Sequence, residues 1–382
     1  MKVTFVSNYI NHHQIPVSNV LYERLGDGYT FVQTMPMEEE RVKLGWNPGE
    51  IPPYVRFAYE EEELCKRLIL ESDVVIWGGL EEEEMLLPRL QTGKPVIRYS
   101  ERLYKEGQWK AISPRGLRKK YIDHTKYRNS PVYLLCAGAF VASDFHIVRA
   151  YPDKMFRWGY FPECREYDVE ALLAGKTGTE ILWAARFIDW KHPEKVVEIA
   201  HLLKERGMNF HITMIGDGPL WEETKHQIEA KGLQEQVNLT GSKTPIEVRE
   251  AMEKAAVFLM TSDRKEGWGA VMNEAMNSGC AVIADRMEGA ALYLIEQGVN
   301  GFYCKQPTPE HMADLVAELL DNKEKCKRMG RKAYATISNI WNAKVAAERL
   351  LQMCEIVAGG KLFVSPWEDG PCSKAPVIKE RG

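Results

Sequence analysis

Short runs of β-branched, aromatic and aliphatic residues alternate along this chain with longer stretches whose apolar positions recur every three or four residues. The first pattern predicts strands covered on both faces, and the second predicts amphipathic helices. Their regular alternation predicts parallel sheets with crossover helices. In the first 160 residues strands are expected at 2–7, 30–34, 73–77, 95–100, 133–137 and 154–160, with helices at 14–25, 60–71 and 117–128. The stretch 162–179, with Pro162, Gly175 and Gly178, reads as a connection, after which the alternation restarts. Strands at 180–185, 210–215, 237–240, 257–261, 281–284 and 301–304 are each followed by a helical pattern. Helix dominates from 309 to 359, and Pro, Gly and charge thereafter. The predicted fold class is α/β: two Rossmann-like, doubly wound domains facing a cleft. The expected division is a first domain at 1–162, a linker at 163–179, a second domain at 180–340, and a C-terminal helix and tail at 341–382 that pack back on the first.

Composition narrows the field. With 382 residues, 45% of them hydrophobic and 27% charged, the chain can fill two cores and lies outside the disordered range. A net charge of −4 supplies no general attraction for nucleic acid, and no nucleic-acid partner is expected. Eight cysteines are scattered singly, with no CxxC pair, as in reduced cytosolic proteins. The opening residues turn polar too soon for a secretory signal, and no apolar stretch reaches the ~18 residues of a membrane span, so a cytoplasmic location is expected. Acidic runs at Glu60–Glu63 and Glu81–Glu84 stand where helices should begin, and there carboxylates complement the macrodipole rather than bind metal.

The segment Glu266-Gly267-Trp268-Gly269-Ala270 leads into Val271-Met272-Asn273-Glu274 between two expected strands. Gly267 and Gly269 let the backbone approach a ligand, and the N–H groups of a following helix favour a phosphate. Glu266 and Glu274, eight residues apart, can accept hydrogen bonds from the paired hydroxyls of a sugar or ribose. Arg186 and Lys191 follow the first strand of the second domain, and Gly216-Asp217-Gly218-Pro219 follows the next. All would stand at strand carboxyl ends, where open α/β sheets bind ligands.

In this order and spacing Arg186, Lys191, Gly216-Asp217-Gly218-Pro219, Val237-Asn238-Leu239-Thr240-Gly241 and the Glu266/Glu274 pair resemble glycosyltransferase family 4 (group 1), of GT-B fold, whose members include polysaccharide and capsule-type sugar transferases. The resemblance covers about 180–305 closely and the first domain weakly. It implies that Arg186 and Lys191 bind and stabilise the donor diphosphate, that Glu266 contacts the donor sugar and that Glu274 contacts the ribose. It further implies that the backbone of Gly267, Trp268, Gly269 and Ala270 lies along sugar and phosphates, that Gly216 and Asp217 line the same crevice, and that Gly241 and Ser242 lie near the base. Trp268 by itself reads equally well as a packing residue. The implied activity is retaining transfer from a nucleotide-sugar, a UDP-sugar by preference, to a hydroxyl of a glycan or lipid-linked acceptor. No cofactor is expected. There is no Asp-x-Asp and no His/Cys cluster with metal-ligand spacing, so metal independence is also expected.

The first domain departs from the family pattern. Asn11, His12 and His13 stand where a glycine pair is usual, and Glu101 follows the strand after which a histidine is usual, making these four the acceptor-side candidates. Glu101 could equally pair with Arg98 or Arg102. Between Arg102 and Arg128 nine Lys/Arg face only Glu106 and Asp123, interleaved with Tyr104, Trp109, Tyr121 and Tyr127. That stretch is a candidate for peripheral contact with an anionic membrane at its inner face, or with a diphosphate-linked lipid, and equally reads as a solvated basic helix. Two rival readings use the same architecture: a nucleotide-sugar epimerase, which needs no acceptor, and a non-catalytic nucleotide-sugar-binding protein. A dehydrogenase is disfavoured because the loop after the first strand lacks GxGxxG.

Overall fold

The computed structural model describes residues 1–38, 49–80 and 83–380; Glu81 and Glu82 of the second acidic run lie outside the described residues. The chain forms two compact units, one of Met1–Glu163 with Asn342–Gly382 and one of Cys164–Trp341.

Unit 1 is built on seven parallel strands: β1 (Val3–Ser7), β2 (Tyr29–Gln33), β3 (Val55–Phe57), β4 (Val74–Gly78), β5 (Val96–Ser100), β6 (Val132–Ala137) and β7 (Met155–Trp158), in the order β3-β2-β1-β4-β5-β6-β7. The sequence pattern does not predict β3, a three-residue edge strand behind Pro52-Pro53. The helix expected at 117–128 begins earlier, at Pro114, with Ser113 accepting the Gly116 N–H. It ends at Asp123, and a separate turn Thr125–Tyr127 follows. Helix Ala343–Ala358 packs on Ile15–Leu25, and Lys374 pairs with Phe156 at the edge of the sheet.

Unit 2 holds β8 (Glu180–Ala184), β9 (His211–Ile215), β10 (Val237–Leu239), β11 (Val257–Met260), β12 (Ala281–Asp285) and β13 (Gly301–Cys304), ordered β10-β9-β8-β11-β12-β13 and parallel throughout. Ile181, Trp183, Ile212, Met214, Val257, Leu259 and Ile283 belong to one core with helix Pro193–Glu205. The intervening Leu182, Phe258 and Val282 are also buried, so both faces of the sheet are covered.

Residues 163–179, expected as a linker, contain a short helix. Asp168 caps a helix, Val169–Ala174, by accepting the Glu170 and Ala171 N–H groups, and the Lys176 ammonium donates to the Met252 and Ala255 carbonyls at 2.9 and 2.6 Å. These contacts make the segment from Cys164 part of unit 2.

In unit 2 the chain steps outward from β8 through β9 to β10, returns to place β11 beside β8, then steps outward the other way. The loops leaving β8 and β11 therefore diverge, opening a crevice at the carboxyl ends of these two strands. β1 and β4 occupy the same relation in unit 1.

Candidate active site

Beyond β8 the chain passes Arg186 and a tight turn, Asp189–Lys191, before His192, in the left-handed region (φ 52°), opens helix Pro193–Glu205. Beyond β11 the loop 261–270 leads to helix Val271–Asn277. Two hydrogen bonds lock these segments together. The Thr261 hydroxyl donates to the Lys191 carbonyl at 2.6 Å while accepting the buried Trp183 indole N–H at 2.9 Å, and the Asp263 N–H donates to the Trp190 carbonyl at 2.9 Å. With both backbones fixed, the Lys191 ammonium forms an ion pair with the Glu266 carboxylate. The side chains keep 13% and 17% exposure, enough for a ligand to reach them.

Next to this pair the glycines of the β9 loop have a steric cause. A β-carbon at Gly216 would lie 1.9 Å from the Ala185 carbonyl oxygen, and one at Gly218 2.6 Å from that of Phe187. The Gly216 N–H donates to the Gly241 carbonyl at 3.0 Å, which brings the loops after β9 and β10 together. Asp217 is exposed, and its carboxylate accepts the Gly218 N–H at 2.7 Å. Arg186 is exposed, 5.8 Å from the Trp190 ring centre, and Ser242 is exposed beside Gly241.

Trp268 has a packing role for its side chain. The indole is fully buried, donates to Asn273 Oδ1 at 2.8 Å, and lies 6.2 Å from the Tyr293 ring and 5.8 Å from that of Trp341. It anchors the loop so that the backbone of Gly267 to Ala270 is held in place. The loop after β12 seals the other side: Ala290 N–H donates to the Trp268 carbonyl at 3.0 Å, and a β-carbon at Gly289 would meet the Gly267 oxygen at 1.7 Å. Helix Val271–Asn277 has only seven residues and no side-chain cap at Ala270, so its dipole is weaker than the sequence pattern suggests. Glu274 stands half-buried in its first turn.

Two titratable groups beside the pair were not singled out by the sequence. His192 donates from Nδ1 to Glu194 at 2.7 Å and from Nε2 to Asp263 at 3.4 Å; these bonds raise its pKa to about 9 and add a cation next to Lys191. Glu288 is fully buried, and burial followed by the Glu266 charge pushes its pKa well above the usual carboxylate range. Nothing local distinguishes Glu288 from a solvated glutamate after a strand; His192 offered one signal, its place before Pro193 at a helix start.

In unit 1, the Asn11 side chain accepts the His13 N–H at 2.9 Å. His12 and His13 have ring centres 3.8 Å apart, and His13 stacks on Tyr160 at 5.9 Å. Burial lowers the His12 pKa to about 4, and burial, then the neighbouring His12, hold that of His13 well below the usual histidine range. Tyr160 donates its hydroxyl to Glu101, which also pairs with Lys105 at 2.6 Å. Tyr160, absent from the expected set, thus links His13 to Glu101. Arg98 and Arg102 are engaged elsewhere, with Glu83 and with Asp144 and Glu380. Arg102 is buried and leaves the basic surface.

The doubly wound sheet thus carries a cation–carboxylate pair and glycine loops at its switch point, the place where open α/β sheets bind ligands. Residues 165–336, nearly the whole of unit 2, match the profile of the family described as glycosyl transferases group 1. The chain is 31% identical over 138 residues to an uncharacterized glycosyltransferase of Methanocaldococcus jannaschii, covering 36% of this chain and 38% of that one. It is 27% identical over 183 residues to the amylovoran biosynthesis glycosyltransferase AmsK of Erwinia amylovora, covering 47% and 45%. The matched region thus spans less than half the length of these relatives. The fold is that of GT-B glycosyltransferases, two parallel-sheet α/β domains. The crystal structure of Anabaena HepE in complex with UDP and glucose matches over 93% of this chain and 99% of HepE, with a TM-score of 0.66 at 14% identity.

Proposed function

We propose that this protein is a retaining glycosyltransferase that moves a sugar from a nucleotide-sugar, a UDP-sugar by preference, to a hydroxyl of a glycan or lipid-linked acceptor in polysaccharide or glycoconjugate biosynthesis. The observation that carries the reading is the Lys191–Glu266 pair at the switch point of a unit that matches the group 1 glycosyl transferases. The relative named for amylovoran biosynthesis and the UDP and glucose bound by HepE support the substrate class.

Breaking a sugar–phosphate bond places positive charge on the anomeric carbon and negative charge on the leaving diphosphate. Fixed cations aimed at the phosphates lower that barrier most. Arg186 and Lys191 fill this role, with the backbone of Gly267 to Ala270 along the sugar and phosphates. Gly216 and Asp217 line the same crevice, and Gly241 and Ser242 lie near the base. Glu266 orients the sugar hydroxyls and Glu274 the ribose. The acceptor oxygen attacks the face the phosphate leaves, and its proton passes to the leaving phosphate oxygen, so configuration is retained. The cations at the phosphates make a divalent metal unnecessary. Asn11, His12, His13 and Glu101 bind the acceptor on unit 1.

The same unit carries a surface suited to an anionic membrane. Trp109, Ile112, Leu117, Tyr121 and Ile122 are exposed, at 67% for Trp109 and 79% for Ile112, among Lys110, Arg115, Arg118 and Lys119. Apolar side chains that insert and cations that meet headgroups are the chemistry of peripheral attachment, which brings a lipid-linked acceptor within reach.

Thermal-shift measurements with UDP-, GDP- and ADP-sugars test the central reading, since a true donor raises the unfolding temperature by mass action. Stabilisation by one nucleotide-sugar is expected, UDP-linked first, and stabilisation by none would overturn it.

A further inference from the structure

The loop that carries Glu266 rests on a carboxyl group. Glu288 is fully buried, and among the described residues neither of its side-chain oxygens has a hydrogen-bond partner. The nearby Ala291 N–H is already donated to the Glu288 backbone carbonyl at 3.2 Å. A β-carbon built on Gly269 would stand 1.9 Å from Glu288 Oε1, so the carboxyl presses on the loop at its left-handed residue, φ 82°. A buried polar group without a partner costs about 1–3 kcal/mol, and more when charged. An apolar side chain would fill this place at no such cost.

The charged groups facing Glu288 come from three segments: Glu266 from the loop after β11, Lys191 from the turn after β8, and Asp285 from the end of β12. Asp285 in turn faces Lys195, Asp263 and His192. Burial and the two carboxylates favour the protonated acid, and Lys191 and the Ala291 N–H favour the anion. Lys191, however, is engaged with Glu266.

We propose that Glu288 is a positioning residue of the donor site and a proton-dependent competitor of Glu266 for Lys191. Protonated, it supports the Gly267–Gly269 backbone and leaves Lys191 to Glu266 and to an incoming diphosphate. Ionised, it draws Lys191 inward and sets a second negative charge against the phosphates. Diphosphate binding therefore strengthens the hold of Glu288 on its proton, and a site entered with Glu288 ionised takes one proton from the buffer. The inference rests on reading unit 2 as the donor site.

Calorimetric titration with UDP between about pH 6 and about pH 9.5, in buffers of differing ionisation enthalpy, tests it on wild type and Glu288→Gln. His192, with its pKa of about 9, titrates in both proteins and cancels in the comparison. Wild type is expected to take up a proton with UDP and to lose affinity by about tenfold per pH unit once Glu288 ionises. Glu288→Gln, which keeps the shape and cannot ionise, should retain the affinity that wild type loses. Parallel affinity curves with equal proton uptake overturn the proposal and leave the donor site standing. Should neither UDP, GDP nor ADP bind wild type at any of these pH values, the donor site falls and the proposal with it. If Glu288→Gln does not fold, Glu288→Met, which fills the same place without a charge, takes its place in the comparison, and affinity curves parallel to wild type with equal proton uptake again overturn the proposal.

Discussion

Lys191 and Glu266, 75 positions apart in sequence, form an ion pair across the two central strands of unit 2, their loops joined by the Thr261 hydroxyl on the Lys191 carbonyl and the Asp263 N–H on the Trp190 carbonyl. Lys191→Ala removes a cation from the diphosphate and should lower turnover by ~100-fold or more. Glu266→Gln releases Lys191 to the phosphates, so UDP alone should bind as well or better while sugar transfer falls by a similar factor. Steady-state kinetics with calorimetry separates the two effects. Near-normal turnover in Lys191→Ala would remove that residue from the mechanism.

Gly269 and Gly241 both have positive φ, 82° and 75°, but differ in what surrounds them. An added β-carbon at Gly269 runs into Glu288, and at Gly241 it meets nothing within 4 Å. Gly241→Ala should cost only the left-handed penalty of about 1–2 kcal/mol. Gly269→Ala should cost distinctly more and lose UDP affinity, because the loop must shift. Denaturant unfolding of both variants checks the ranking, and equal losses would contradict the packing beneath Gly269.

The histidines of the two units predict opposite pH dependences. His192 has its pKa raised to about 9, so its contribution to stability is complete below about pH 6.5 and is lost as pH rises through about 9. His12 has its pKa lowered to about 4, so its contribution is present above about pH 6.5 and is lost as pH falls toward about 4. His192→Asn keeps a residue that tolerates φ 52° and removes the charge. It should abolish the alkaline loss and leave the acid loss unchanged in urea titrations across this range.

Sugar transfer should survive chelation. Turnover in excess EDTA is expected to equal that in Mg²⁺ or Mn²⁺, and activity that EDTA abolishes and either ion restores would show that Arg186 and Lys191 do not suffice at the diphosphate.

Sedimentation with anionic vesicles at low salt should pull the protein down, and added salt should release it. Replacing Trp109 and Ile112 by Ser should weaken binding without changing its salt dependence. Protein that stays in the supernatant with anionic vesicles at low salt argues against the attachment surface.

The twelve strands expected from the sequence all occur, because parallel strands covered on both faces leave continuous apolar runs that stand out from their surroundings. β3 was not legible: three residues at a sheet edge leave too short a run. The helix inside 163–179 was missed because Pro162 and two glycines outweighed the cap at Asp168. At the site, the order of Arg186, Lys191, Glu266 and Glu274 along the chain was readable, and so was the use of glycine at 269, where φ is 82°. The burial of Trp268, the bridge of Tyr160 between His13 and Glu101, and the carboxyl of Glu288 were not. Each depends on residues distant in sequence.

By itself the sequence determined the alternation of strands and helices and which loops follow which strands, since periodicity and turn chemistry act over a few residues. Tertiary structure decided which side chains meet. β11 returning beside β8 sets Lys191 against Glu266, and the β12 loop folding under Gly269 brings Glu288 beneath it. The physical reason is that charge pairing and desolvation depend on distance and burial, and both are set only when the strands take their order in the sheet.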